Sequence, residues 1–206
     1  MPDVFGLYLV LTEPAAGYER TAAAAIETGV KYLQLRMKRC PPEEVLEMAR
    51  RLRRITAGSG TRFIVNDDVE IARQAGADGV HLGQDDLSIV DARRRWPAPG
   101  KVFGLSTHNE DQEARARDLA PDYIGVGPVF TTPTKERPDP ALGMDRMGRI
   151  IRGSPLTAVA IGGIDAGNLA DVLRHGAVNF CVVRAVNQAQ DPVSAIRRLQ
   201  EIWRGR

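Results

Sequence analysis

Short β-like runs alternate with helical patterns along the whole chain, and this alternation constrains the fold more than any other feature. Eight predicted strands lie near residues 4–12, 32–36, 62–66, 79–82, 101–106, 123–126, 157–161 and 179–184. Alternating βα pairs require parallel strands and right-handed crossovers, which leaves an open doubly wound sheet or a closed barrel. Eight pairs favour closure. The sequence therefore predicts an α/β protein with a single (β/α)8 TIM barrel over residues 1–206.

The segments between the predicted strands carry helix signals. Behind Pro41-Pro42, apolar residues recur at helical spacing through residues 45–55. A second clear pattern begins after Asp191-Pro192 and should complete the outer ring of helices.

A weak repeat also supports this layout. Gly29, Gly76 and Gly176 each stand between a predicted helix and an even-numbered strand, and Ala120 fills the remaining position. Two βα units account for a period of roughly fifty residues. Glycine readily adopts the left-handed conformation that stops a helix, so these positions predict helix ends.

The composition is that of an ordinary globular chain, with 43% hydrophobic residues and a formal net charge of +2. This net charge is much less positive than that of a typical nucleic-acid-binding protein, so no nucleic-acid partner is expected. Apolar runs fall short of the roughly 20 residues of a membrane span, and no secretory pattern is present, which predicts a cytoplasmic protein without a membrane partner. Cys40 and Cys181 are predicted to be plain thiols. A homo-oligomer is compatible with the sequence.

The second predicted strand carries cations toward the barrel rim where active sites of this architecture lie. Alternation along residues 32–38 puts Gln34 and Arg36 on the face opposite the leucines of the strand. With those leucines toward the helices, Arg36 faces the barrel mouth, and Lys38 adds a second cation. An inward Arg held by core carboxylates is the alternative, but two cations favour an anion site.

Paired acids follow the third and fourth predicted strands, as Asp67-Asp68 and Asp85-Asp86. Carboxylates combined with substrate phosphates are the usual surroundings of protein-bound Mg²⁺, so the two loops suggest one shared ion. Helix capping competes with this interpretation, because an Asp at a helix start satisfies free N–H groups. We assign capping to Asp68 and Asp85, and metal binding to Asp67 and Asp86.

The longest loop follows the sixth predicted strand, over residues 127–143. Long connections in compact domains are often functional lids, and Lys135 follows Thr132 and Thr134 closely. This pattern predicts a lid that contacts phosphate, with a solvated surface lysine as the alternative.

Two other strand ends are polar or rich in glycine. The fifth strand ends with Ser106, and the seventh is followed by Gly162-Gly163, whose backbone amides can approach an oxyanion closely. Because the last two βα loops of barrels commonly bind phosphate, a phosphate monoester is expected there, although a tight turn alone would also need glycines. The three histidines show no metal-ligand spacing, and we assign them no chemical role.

Taken together and in chain order, these loops resemble thiamine phosphate synthase, the thiamine-phosphate pyrophosphorylase family. The resemblance spans nearly the whole chain, whereas any one motif would be weak. The motifs are QLRMK at 34–38, NDD at 66–68, GVHLGQDD at 79–86, GLSTH at 104–108, GPVFTTPTK at 127–135 and IGGI at 161–164.

The resemblance implies a transferase that joins hydroxymethylpyrimidine diphosphate to a thiazole phosphate, with Mg²⁺ as cofactor and pyrophosphate as a product. It implies Asp67 and Asp86 as metal ligands and catalytic roles for Arg36, Lys38, Ser106 and Lys135. At position 184 some relatives carry a small hydroxyl residue, which leaves open whether the Arg184 side chain contacts phosphate. The implied pyrimidine and pyrophosphate contacts are Gln34, Arg36, Lys38, Asn66, Ser106 and Lys135, and the implied thiazole phosphate contacts are Thr132, Thr134, Gly163, Val183 and Arg184.

Two other functions compete with the synthase. A thiazole tautomerase-like paralogue would bind the thiazole phosphate and move protons without a diphosphate site. A non-catalytic sensor barrel would bind phosphorylated ligands and make no product. The two acidic loops and the Pro133-Thr134-Lys135 segment favour the synthase.

Overall fold

Eight parallel strands pair in chain order, and the last pairs with the first, which closes a barrel. The computed structural model describes residues 2–132 and 139–205. The predicted (β/α)8 TIM barrel is confirmed, and each predicted strand overlaps an observed one. The strands are Leu7–Leu11 (β1), Tyr32–Leu35 (β2), Arg62–Asn66 (β3), Gly79–Leu82 (β4), Val102–Thr107 (β5), Tyr123–Val126 (β6), Ala158–Ile161 (β7) and Phe180–Val182 (β8).

The described residues form nine helices, one more than the eight βα pairs predict. The additional helix is a single turn directly after β8, too short to show a helical period in the sequence. None of the described helices is both long and apolar enough to cross a membrane. The helices are Tyr18–Glu27 (α1), Pro42–Thr56 (α2), Val69–Gln74 (α3), Ile89–Arg95 (α4), Glu110–Leu119 (α5), Gly143–Gly153 (α6), Leu169–Arg174 (α7), Arg184–Asn187 (α8) and Pro192–Arg204 (α9).

The repeated glycines end helices as predicted. Gly29, Gly76 and Gly176 have φ values of 72°, 67° and 108°. Ala120, in the fourth position of the repeat, also has a positive φ, of 45°. All four residues share a positive φ, which ends the helix shortly before the next even-numbered strand begins.

The core has two layers, and strand alternation separates them. Leu33 and Leu35 are buried between the barrel and the helices. Gln34, which lies between them in β2, is 4% exposed and points into the barrel, where its amide reaches the Tyr8 hydroxyl. The predicted orientation of β2 is therefore confirmed. The inner layer consists of Tyr8, Val10, Ile64, Val102, Tyr123, Val159 and Cys181.

Candidate active site

Two adjoining spaces open at the carboxyl ends of the strands, where the βα loops meet. The inner cavity, of about 270 Å³, extends into the barrel interior. The outer cleft, of about 1140 Å³, is lined chiefly by the loops that follow β2, β3 and β4, and also by residues after β1, β5, β6 and β8. The two spaces meet at a common set of residues, so one ligand that occupies both would contact that set. The shared lining residues are Arg36, Asn66, His81, Ser106, His108, Val183, Arg184 and Gln188.

Every predicted site residue that the structure describes lines one or both of these spaces. Thr134 and Lys135 lie outside the described residues. The predicted residues lining the inner cavity alone are Gln34, Thr132 and Gly163, those lining the outer cleft alone are Lys38, Asp67 and Asp86, and those lining both are Arg36, Asn66, Ser106, Val183 and Arg184.

The two acids predicted to bind metal lie side by side. The carboxyl groups of Asp67 and Asp86 are within hydrogen-bonding distance of each other, and Lys38 forms an ion pair with Asp67. Burial raises the pKa of Asp86, and the neighbouring Asp67 raises it further. The Gly83 backbone N–H, which donates to Asp86 at 2.7 Å, opposes this rise. Two carboxyl groups this close favour a cation between them.

The backbone after β3 gives the adjacent acids Asp67 and Asp68 different roles. Asp67 has a φ of 64°, and its N–H donates to the His81 carbonyl at 2.7 Å. Asp68 accepts a 2.8 Å bond from the Ile71 N–H and caps α3. The predicted capping role of Asp68 is confirmed, and the turn leaves Asp67 free of that role.

The capping role predicted for Asp85 is wrong. Helix α4 begins at Ile89, and its N-cap is Ser88, whose hydroxyl accepts from the Asp91 N–H at 3.1 Å. Asp85 comes too early in the chain to cap this helix and is an exposed residue of the outer cleft.

Arg36 lies at the junction of the two spaces. Its backbone N–H donates to the Leu11 carbonyl at 2.9 Å, which continues the pairing of β1 and β2 by one residue. The residue is half-buried and lines both the inner cavity and the outer cleft. Arg36 and Lys38 therefore bring positive charge to the same rim as the two acids.

An aromatic and imidazole cluster, which no motif in the sequence predicts, forms part of the inner cavity wall. The hydroxyl oxygens of Tyr8 and Tyr123 are 2.7 Å apart. His81 contacts the Tyr123 hydroxyl through Nδ1 at 3.0 Å and the Ser106 hydroxyl through Nε2 at 2.9 Å. The cluster joins the barrel interior to a predicted substrate contact.

The other two histidines differ in position. His108 lines both spaces, with Nδ1 2.6 Å from the Gly127 carbonyl oxygen. His175 follows α7, with Nδ1 2.7 Å from the Asp171 carbonyl oxygen, as a helix-end residue does. Two of the three histidines are thus at the site, although the spacing of the histidines in the sequence indicates no role for them.

The loop after β6 is bound to the end of β7 by main-chain hydrogen bonds. The Val129 N–H donates to the Ile161 carbonyl at 2.8 Å, and the Phe130 N–H donates to the Gly162 carbonyl at 3.0 Å. Gly162 has a φ of 105°, and a Cβ there would lie 2.6 Å from the Pro128 Cα. Only glycine allows this close approach, which also brings Thr132 to the inner cavity wall.

The Gly162→Ala variant is expected to lose about 3 kcal/mol of unfolding free energy, because it combines an unfavourable φ with a backbone clash. Urea unfolding measures this loss. Gly153→Ala is the control, since a Cβ at Gly153 meets nothing within 4 Å, and this variant should match the parent or exceed it slightly. Equal stability of the two variants would refute the close-approach argument.

The candidate metal ligands are a pair. Within residues 2–132 and 139–205, no group of three or more His, Cys, Asp or Glu side chains could hold a metal ion. Cys40 and Cys181 are free thiols, as predicted. Any Mg²⁺ held by Asp67 and Asp86 would therefore take further ligands from water or substrate oxygens.

Comparisons with known proteins find similarity to a single family along most of the chain. A family model described as thiamine monophosphate synthase matches residues 7–186. A thiamine-phosphate synthase of Albidiferax ferrireducens is 39% identical over 95% of the chain and 90% of its own length. One from Archaeoglobus fulgidus is 36% identical over 99% of the chain and 96% of its own length. A solved thiamine phosphate pyrophosphorylase from Pyrococcus furiosus superposes with a TM-score of 0.87 at 29% identity, covering 98% of this chain and 96% of that one.

Proposed function

The chain belongs to the thiamine monophosphate synthase family, and from this premise we propose that it joins hydroxymethylpyrimidine diphosphate to a thiazole phosphate around one Mg²⁺ held by Asp67 and Asp86. Family membership makes it a transferase of thiamine biosynthesis. The observation that carries the metal-site proposal is the meeting of Asp67, Asp86, Arg36 and Lys38 at one cleft.

The donor set suits the proposed ion. Two carboxyl groups in contact, with space beside them in the outer cleft, match the way Mg²⁺ is held by one or two carboxylates together with substrate phosphates. When bound, the ion would neutralise charge on the diphosphate and on the departing pyrophosphate. Lys38, now paired with Asp67, would be close enough to contact the same diphosphate.

The chain's own residues would act mainly through charge. Breaking the bond between the pyrimidine methylene carbon and the diphosphate oxygen leaves a cation, which the exocyclic amine of the ring stabilises, and a pyrophosphate anion. Arg36 and Lys38 would stabilise that anion, and Lys135, outside the described residues, has the same proposed role. The thiazole nitrogen then attacks the methylene carbon. No nucleophilic side chain is needed, but water must be excluded from the cation.

The inner cavity suits the pyrimidine ring. Gln34 and Ser106 supply polar groups in a wall that also includes Tyr8, Tyr123 and Val159, and Asn66 lies where this wall meets the outer cleft. An apolar pocket with a few placed polar groups is typical of sites that bind small aromatic ligands. We propose that the ring lies here, with its diphosphate directed toward the acids.

We propose that the thiazole phosphate binds where β7 and β8 end. Gly163, Val183 and Arg184 line the space there, and Thr132 adds a hydroxyl from the preceding loop, with Thr134 beyond the described residues. Barrels commonly bind phosphate between these last two loops, next to a short extra helix such as α8. Contact through the backbone would not require the Arg184 side chain.

A two-substrate assay tests this function. With both substrates and Mg²⁺, one pyrophosphate should appear for each thiamine phosphate formed. A tautomerase would convert the thiazole phosphate alone and release no pyrophosphate, and a sensor would bind ligands without product. Either of these results would replace the synthase proposal.

Phosphorylated substrates of this kind cross membranes poorly, which supports a cytoplasmic location. The partners proposed are the two small-molecule substrates, with no nucleic acid and no membrane, and self-association into a homo-oligomer is a further proposal.

A further inference from the structure

A continuous chain of hydrogen bonds crosses the barrel interior from β2 to β5. The Gln34 Nε2 donates to the Tyr8 hydroxyl at 2.9 Å, and the Tyr8 and Tyr123 hydroxyls are 2.7 Å apart. Tyr123 reaches His81 Nδ1 at 3.0 Å, and His81 Nε2 reaches the Ser106 hydroxyl at 2.9 Å. Five side chains from five different strands thus join two proposed pyrimidine contacts.

The donor at one end sets the direction of every bond. An amide N–H can only donate, so the Tyr8 oxygen accepts from Gln34, and the acceptor that the Tyr8 proton reaches is the Tyr123 oxygen. Tyr123 must then give its own proton to His81 Nδ1. That leaves the imidazole proton on Nε2, where it is donated to the Ser106 oxygen.

Burial and ring stacking maintain this direction of hydrogen-bond donation from Gln34 to Ser106. Tyr8 and Tyr123 are each 2% exposed, and burial raises the pKa of both hydroxyls well above the ordinary value, so both remain protonated. The His81 ring stacks on Tyr123 with 5.5 Å between centroids and 18° between planes. Neither ring can turn without losing both stacking and hydrogen bonds.

We propose that Tyr8, Tyr123 and His81 are positioning residues that fix the Ser106 hydroxyl as a hydrogen-bond donor toward the ligand. Since Ser106 already accepts from His81, its own proton is free to be directed into the space that it lines. The value of this donor for catalysis rests on the proposed function, because Ser106 is one of the proposed pyrimidine and pyrophosphate contacts.

Nitrogen-15 NMR of histidine-labelled protein tests the direction without any assay of activity. His81 is identified as the signal absent from His81→Gln. The expected result is a proton on Nε2 and an acceptor at Nδ1, whose resonance moves in Tyr123→Phe. Tyr32→Phe is the matched control, because the ring centroids of Tyr32 and Tyr123 are 5.7 Å apart and the Tyr32 hydroxyl takes no part in these hydrogen bonds. A proton on Nδ1, which a reversed Gln34 amide would produce, overturns the proposal.

The link to Ser106 is tested by a double-mutant cycle. Tyr123→Phe should lower kcat by roughly tenfold, the scale of one lost hydrogen bond to a developing charge, while the KM for the thiazole phosphate changes little. In a Ser106→Ala background the same substitution should leave kcat unchanged. Equal losses in both backgrounds would show that Tyr123 does not act through Ser106. A wild-type chain without synthase activity would instead contradict the proposed function, and the NMR result would still decide the bond direction.

Discussion

Arg36→Ala is expected to lower kcat/KM by about 100-fold or more, the loss seen when one preorganised charge stabiliser is removed. Arg36 is half-buried at the junction of the two spaces, where a ring in the inner cavity and its diphosphate in the outer cleft would meet. Its guanidinium can bind two phosphate oxygens at once, so Arg36→Lys should recover only part of the rate. Steady-state kinetics on the two variants measures both effects.

The control for this prediction is Arg54→Ala. Arg54 is an exposed residue in the last turn of α2, so its removal changes the net charge equally but leaves the rim intact. It should keep nearly the parental rate. Lys135→Ala should fall like Arg36→Ala. If both of these variants remain near the parental rate, the assignment of the leaving-group contacts is wrong.

Asp67→Asn and Asp86→Asn are each expected to lower turnover by about 100-fold at limiting Mg²⁺, because loss of one carboxylate weakens the ion's contribution to charge neutralisation. The acids touch each other, so one shared ion should make their effects strongly non-additive. The double variant should therefore be little slower than either single one. Rates measured across a series of Mg²⁺ concentrations should show that each variant needs a higher Mg²⁺ concentration to reach half of its maximal turnover.

Asp68→Asn and Asp85→Asn are the matched controls. Asn caps a helix about as well as Asp does, so the first should preserve α3 and the rate. The second removes an exposed acid of the same cleft. A Mg²⁺ requirement that is unchanged in Asp67→Asn and Asp86→Asn would contradict the shared site.

The periodicity of apolar residues and the glycines that end helices were sufficient to predict the barrel. The alternation of Leu33, Gln34 and Leu35 predicted which side chains of β2 face the barrel interior. The glycines at 29, 76 and 176 predicted helix ends, and all three have positive φ values in the structure. Such signals are local, and closure of the barrel then brings the strand ends to one rim without further information.

The parts that the sequence analysis missed depend on contacts across the barrel. Tyr8, His81 and Tyr123 come from strands far apart in the chain, and no spacing motif joins them. A partial signal existed, because alternation in β1 puts Tyr8 on the face opposite its buried leucines. The Asp85 error had a local cause, since Ser88 offered a better-placed cap three residues later.

In the proposed function, acids and cations from separate loops hold one diphosphate–metal unit. Calorimetric titration with pyrophosphate, in excess Mg²⁺ and again with a chelator, tests it most directly. Pyrophosphate binding should be at least roughly tenfold tighter with Mg²⁺, and Asp86→Asn should weaken this coupling and shift it to higher Mg²⁺ concentrations. Equal pyrophosphate affinity with and without the metal would contradict it.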